Sequence, residues 1–154
     1  MYIDYLCNCP DSINIVSNWI YNEFVHGSRS NLTLENVIEY FSNTNKKDFP
    51  ITFVSLIDNK CIGTVSIFEN DLKTQKDFTP WLASLYVTPD YRGKGVGQKL
   101  ISKVQEIVGE LGFETLYLRT ENASNYYKKL GFEFVYSTYD EKGKNTEVFC
   151  ISIK

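Results

Sequence analysis

Apolar residues recur along the chain in two different periods. Ile13, Val16, Ile20 and Phe24 are spaced by three or four, one face of an α-helix, and Asp11 or Ser12 stands where an N-cap belongs; the spacing predicts a helix over 12–25. Leu34, Val37, Ile38 and Phe41 repeat the period behind Thr33, which caps a second, shorter helix. "ITFVSLI", from Ile51, is instead β-branched and apolar, and "DNK" turns it back into "CIGTVSIFEN", a strong hairpin signal. Residues 2–7 predict a first strand, and "WLASLYV" from Trp81 another, ended by Thr88-Pro89. Val96, Leu100, Val104, Ile107, Val108 and Leu111 then share a helical face, with Lys99, Lys103, Glu106 and Glu110 opposite and Gly112 as the stop. "TLYLRT" is a strand, "ASNYYKKL" a short helix stopped by Gly131, and "FEFVYSTY" and "TEVFCISI" pair around "DEKGKN".

The predicted order is β-α-α-β-β-β-α-β-α-β-β. It implies an α+β (mixed α/β) fold: a mixed, mostly antiparallel sheet of six to seven strands flanked by about four helices. Too many strands are joined by hairpins for a doubly wound fold. The polar stretches 42–48, 69–77 and 140–145 are short enough to be loops, no internal repeat is present, and 154 residues suit one domain spanning 1–154.

Charge and cysteine usage narrow the function. A formal net charge of -3 argues against a general nucleic-acid binder. No apolar run reaches membrane-spanning length, and the first residues include no basic segment before a long apolar core; a cytoplasmic protein without membrane partners, monomeric or a homodimer, is expected. Cys7 and Cys9 lack the second ligand pair a zinc site needs, so Cys7, Cys9, Cys61 and Cys150 read as thiols in a reducing compartment, and no metal is expected. A single histidine, His26, leaves little material for a Ser-His-Asp site; catalysis would rest on carboxylates, tyrosine, backbone amides or a cofactor.

The stretch "YVTPDYRGKGVGQKLI" carries the clearest chemistry. Gly93, Gly95 and Gly97 lie between a strand and the longest helix. A dinucleotide fingerprint would need its third glycine at Gln98 or Leu100, and the P-loop spacing is absent. What fits is Arg92-x-x-Gly95-x-Gly97. Glycines permit close backbone approach, the first helical amides point outward with the positive end of the helix dipole, and Arg92 and Lys94 add full charges, which suits a pyrophosphate. A purely structural strand-to-helix turn is the alternative.

Together with its context, this stretch resembles the GNAT superfamily of N-acetyltransferases. "LYVTPDYRGKGVGQKLI" is similar to that family's acetyl-CoA motif, and "NYYKKLGFEFV" to its later tyrosine motif; the order of elements over the whole chain also matches. The resemblance implies acetyl-CoA as co-substrate, with its pyrophosphate on Arg92, Gly93, Lys94, Gly95, Val96, Gly97 and Gln98 and its pantetheine along Leu85, Tyr86 and Val87. It implies Tyr127 as the acid that protonates the departing thiolate, against the alternative of a core tyrosine, with Tyr126 as core or pocket wall. "TENASNYYKKLGF" is contracted relative to many members, which leaves Asn122 and Asn125 as candidate cofactor contacts. Base candidates are Glu69, Asp71, Asp77 and Glu121, with Asp71 and Glu121 favoured; a water against Ser84 is another route. A backbone N–H of Tyr86 or Val87 would hold the oxyanion. Trp19, Phe24, residues 26–30 and Trp81 are candidate acceptor walls. The expected reaction is direct acetyl transfer to a primary amine in a ternary complex. The alternatives are another acyl-CoA or a non-catalytic coenzyme A-binding module.

Overall fold

The computed structural model describes residues 1–26 and 30–153. The elements follow in the expected order: β1 (Tyr2–Tyr5), α1 (Ile13–Ile20), α2 (Leu34–Ser42), β2 (Ile51–Ile57), β3 (Lys60–Phe68), β4 (Trp81–Val87), α3 (Val96–Glu110), β5 (Thr115–Thr120), α4 (Ser124–Lys129), β6 (Glu133–Tyr139) and β7 (Asn145–Ser152). The strands form a seven-stranded sheet in the order β1-β2-β3-β4-β5-β7-β6. β1 runs antiparallel to β2, and β7 antiparallel to both β5 and β6; β4 and β5 are parallel. No helix of the described residues is long and apolar enough to cross a membrane. The chain divides into two compact units, residues 1–66 with 84–103 and residues 67–83 with 104–154, and β3, β4 and α3 each pass from one to the other.

In the first unit, Leu6, Val16, Ile20, Val37, Phe41, Val54, Leu56 and Cys61 form one buried cluster. α2 starts at a reciprocal cap: the Thr33 hydroxyl accepts from the Asn36 N–H at 3.1 Å, and the Asn36 side chain accepts from the Thr33 N–H at 3.0 Å. Such a cap stabilises a helix by about 1 kcal/mol. Asp58 and Asn59, both at positive φ (50° and 65°), make the two-residue turn between β2 and β3, the geometry whose twist matches the flanking strands.

α1 departs from the expected 12–25. Its α-helix ends at Ile20, and Tyr21–Val25 form one wider π turn in which the His26 N–H donates to the Tyr21 carbonyl at 2.6 Å. The extra residue in that turn rotates the apolar face. Val25 therefore packs against the core cluster, and Phe24 is left 49% exposed. The first strand is also shorter than 2–7, because the chain turns through a 3₁₀ turn at Leu6–Asn8 that buries Leu6.

Gly63 on β3 is a close-approach position. A Cβ there would fall 2.8 Å from Ser55 Oγ and 3.2 Å from both Leu100 Cδ1 and the Tyr86 carbonyl oxygen. The missing side chain lets β4 and the start of α3 pack tightly on the β2–β3 hairpin.

In the second unit, β5 alternates: Leu116, Leu118 and Thr120 are buried, while Tyr117 and Arg119 take the other face. Leu72, Trp81 and Val148 form that face's core, with Phe68, Phe78, Tyr117 and Tyr136 around it. Phe78 stacks on Tyr117 at 4.3 Å, and the Trp81 indole N–H donates to the Phe78 carbonyl at 2.7 Å. Trp81 is wholly buried here, so it is a core residue and not the acceptor wall expected above. The two Leu-Gly-Phe stretches end helices in the same way. Gly112 donates to Gly109 and Phe113 to Val108 at the end of α3; Gly131 donates to Lys128 and Phe132 to Tyr127 after α4. Both glycines are left-handed (φ 92° and 96°), the paired-bond cap that glycine makes inexpensive.

Candidate active site

The glycine turn lies in the first unit. Thr88 leaves β4 with its N–H bonded to the Ile62 carbonyl at 3.0 Å, and a 3₁₀ turn at Pro89–Tyr91 leads to Arg92. Gly93 and Gly95 are left-handed, at φ 75° and 84°, and nothing lies within 4 Å of where a Cβ would sit on either. α3 begins immediately afterwards, with the Lys99 N–H donating to the Gly95 carbonyl at 3.1 Å. Its preceding amides, at Val96, Gly97 and Gln98, are those for which an α-helix supplies no acceptor. Val96 is buried and anchors the turn, whereas Arg92, Gly93, Lys94, Gly95 and Gln98 are exposed. An open, amide-rich turn flanked by Arg92 and Lys94 fits a diphosphate.

Arg92 ties the turn to the strand before it. Its Nε–H donates to the Val87 carbonyl at 2.8 Å, and its guanidinium lies 5.3 Å from the centre of the Tyr86 ring. Tyr86 in turn packs against Trp19 at 5.1 Å. Ser84 has φ 54°, rare for a residue with a Cβ, which interrupts the pleat before the half-buried Leu85, Tyr86 and Val87.

Tyr127 belongs to the second unit. It stands in α4 between two rings, 5.2 Å from Tyr126 and 5.8 Å from Phe132. The Phe132 contact is the hydrophobic half of the helix-end cap, so the "KLGF" stop also fixes the tyrosine. Tyr127 is 8% exposed; burial, and then Tyr126, push its phenol up to about 12, which keeps it protonated across the physiological range. Tyr126, expected in the core or a pocket wall, is 42% exposed. Asn122 and Asn125 are exposed at the start of α4.

The carboxylates separate clearly. Glu69 and Asp77 are exposed loop residues. Glu121 accepts from the Thr146 hydroxyl at 3.4 Å and lies 3.9 Å from Lys144 Nζ. Asp71 is different: its side chain is one-quarter exposed, with Oδ2 3.5 Å from Arg119 Nε, and the same Nε–H donates to the Asp71 carbonyl at 2.7 Å. Desolvation pushes the Asp71 carboxyl up to about 7; Arg119 opposes this, and Glu121 and Glu141 reinforce it. A carboxyl with that affinity for protons is suited to base chemistry at neutral pH.

The sequence profile of the acetyltransferase (GNAT) family matches residues 16–132, about three quarters of the chain. The chain belongs to the GNAT acetyltransferase family. It is 33% identical over 99 residues to an uncharacterized N-acetyltransferase of Methanocaldococcus jannaschii, covering 61% of this chain and 44% of that protein. It is 28% identical over 125 residues to the probable N-acetyltransferase camello of Xenopus tropicalis, covering 77% and 55%. The chain thus spans about half the length of these curated relatives. Among solved structures, an aminoglycoside 6'-N-acetyltransferase complexed with coenzyme A superposes with a TM-score of 0.77 at 16% identity, covering 100% and 98% of the two chains. The ribosomal-protein-alanine N-acetyltransferase of Brucella melitensis does so at 0.71 and 18%, covering 99% of each. At such identities these likenesses establish the fold.

The expected site residues of this GNAT chain are found in both units. The first unit brings together Leu85 to Val87 and Arg92 to Gln98 on one strand-turn-helix segment. The second brings together Asp71 and Glu121 with Arg119 and separately holds Tyr127. Phe24 is an exposed wall candidate within the π turn; of residues 26–30, Gly27, Ser28 and Arg29 lie outside the described residues. Sequence reasoning missed Arg119, Asp140 and the Ser84 conformation. Arg119 left one signal, a lone cation in the strand "TLYLRT"; Ser84 left none. Among the described residues, no group of three or more His, Cys, Asp or Glu is arranged to hold a metal.

Proposed function

We propose that the chain is a single-domain, acetyl-CoA-dependent N-acetyltransferase that moves the acetyl group directly to a primary amine while both substrates are bound. The observation that carries this reading is the Arg92–Gln98 turn, with two left-handed glycines and open space above both. The exposed turn and the first amides of α3 would hold the pyrophosphate, and the backbone of Leu85 to Val87 would hold the pantetheine arm. The Val87 carbonyl already accepts from Arg92, so Leu85 and Tyr86 would supply most of that backbone pairing.

In the reaction a C–N bond forms as the thioester C–S bond breaks. The amine must be neutral to attack; Asp71, with its raised proton affinity, would take the amine's proton and release it to solvent. Tyr127, held protonated by burial, would give its proton to the departing thiolate and be reprotonated before the next turnover. A backbone N–H of Tyr86 or Val87 would stabilise the oxyanion. The excess of acidic residues and the carboxylates of Asp71 and Glu121, which repel each other, favour a cationic acceptor such as an aminoglycoside, polyamine, lysine side chain or peptide N-terminus. The aminoglycoside enzyme among the structural neighbours supports testing that class first. A cytoplasmic location fits a soluble co-substrate of this kind.

Thiol release from acetyl-CoA, measured across amines, amino acids, aminoglycosides and peptides, tests the proposal. Release dependent on a cationic amine is expected. A flat panel with retained acetyl-CoA binding would instead identify a non-catalytic binding module.

A further inference from the structure

Arg119 has a carboxylate on each side. Its Nε–H holds the backbone carbonyl of Asp71 at 2.7 Å with Asp71 Oδ2 at 3.5 Å, and its Nη1 donates to Asp140 Oδ2 at 3.4 Å. The two aspartates are not equivalent. Asp140 Oδ1 accepts from the Lys142 and Lys144 backbone N–H groups, both at 2.9 Å, inside the turn that closes β6 onto β7. Partial burial works against its charge, but the Lys144 and Lys142 amides, and then Arg119, outweigh this and hold Asp140 below the usual carboxylate range. For Asp71, desolvation is the largest influence and disfavours the charged form; Arg119 favours it, and Glu121, just after β5, and Glu141 from the β6–β7 turn oppose it, while Lys144 faces Glu121.

A lone Arg–Asp pair would lock the aspartate in its ionised form. Here one guanidinium serves two carboxylates, and the one with backbone donors is held further toward its charged form. Resting on the reading of Asp71 as proton acceptor, we propose that Arg119 and Asp140 are positioning residues for it. Arg119 fixes the Asp71 backbone and carboxylate in place. Asp140 takes up enough of the guanidinium's charge to leave Asp71 able to accept a proton. Asp71 is partly exposed, so the proton it takes can leave to water.

The test is kcat/KM against pH, with acetyl-CoA and the best amine of the panel, for wild type, Asp140→Asn, Arg119→Gln and Arg119→Lys. Asp140→Asn turns the full Arg119 charge onto Asp71, and the acid limb of the profile moves down by about one pH unit. Arg119→Gln removes the cation, and the limb moves up by about one unit; Arg119→Lys brings it back toward wild type. The KM for acetyl-CoA stays within about twofold throughout. A merely structural latch would lower activity in these variants without displacing the limb in opposite directions. Displacements of the same sign, or none, overturn the proposal. The ¹³C carboxyl resonance of Asp71, followed against pH in the full chain with acetyl-CoA, reads the same displacements without turnover. Wild type that acetylates no amine sinks the acetyltransferase reading, and a resonance that fails to move oppositely in the two charge variants sinks this one.

Discussion

Burial acts in the same sense on two of the proposed reacting residues, with opposite consequences for their chemistry. It disfavours the charged form of both Asp71 and Tyr127, making the first a stronger base and the second a weaker but permanently loaded acid. Tyr127→Phe keeps the ring contacts with Tyr126 and Phe132 and removes the proton donor. Acetyl-CoA affinity is therefore expected to hold while kcat falls by about 10²-fold or more; an unchanged kcat would make Tyr127 a core residue alone. Asp71 also has a stability signature. Its pKa rises on folding from 3.8 to about 7, so between those values the folded chain keeps a proton that the unfolded chain has released, and stability falls as pH rises through the window. Asp71→Asn removes that dependence. Denaturant melts should show the variant gaining on wild type between pH 5 and pH 8, by at most about 3 kcal/mol; an equal difference at both pH values would refute the shift.

Among the elements, the connections decide the site more than the regular structure does. Gly95 at φ 84° opens the turn above α3, and a β-branched residue there would be strained and would fill the open space above the turn. Gly95→Val should leave the chain folded while acetyl-CoA binding, read by calorimetry, drops below detection; normal binding would move the phosphates elsewhere. Gly63 works from beneath. Adding a Cβ 3.2 Å from Leu100 and from the Tyr86 carbonyl forces β4 or α3 to shift, so Gly63→Ala should lower stability by about 1–3 kcal/mol in a thermal melt and weaken acetyl-CoA binding with it. The helix ends illustrate the same economy. At Gly131 a single cap ends α4, turns the chain into β6 and presses Phe132 on Tyr127.

For the whole molecule, the proposed co-substrate should act as a stabiliser, because the turn exists only in the folded chain. Acetyl-CoA at a hundredfold excess over its Kd is expected to add about 2.7 kcal/mol, several degrees in Tm. No shift at millimolar ligand would remove the assignment. The fold itself was legible in the sequence: the order of elements, the mixed sheet and the hairpins all follow from period and turn chemistry. The misses have local causes. The π turn after Ile20 breaks a 3.6-residue period without any glycine or proline to announce it, which is why Phe24 was placed on the wrong face. Trp81, apolar at the head of a strand, carries no mark in sequence to tell core from pocket wall; its burial does.

The sequence by itself determined the strand-turn-helix segment from Leu85 to Gln98 and the Tyr127 motif, because both rest on contiguous residues whose spacing is the geometry. Tertiary structure alone decided which carboxylate differs from the rest. Asp71, Arg119 and Asp140 are separated by 48 and 21 residues, and their charges meet only where β5 packs against the β3–β4 connection and the β6–β7 turn. Proton affinity depends on desolvation and on neighbouring charge, and both are properties of that assembled packing.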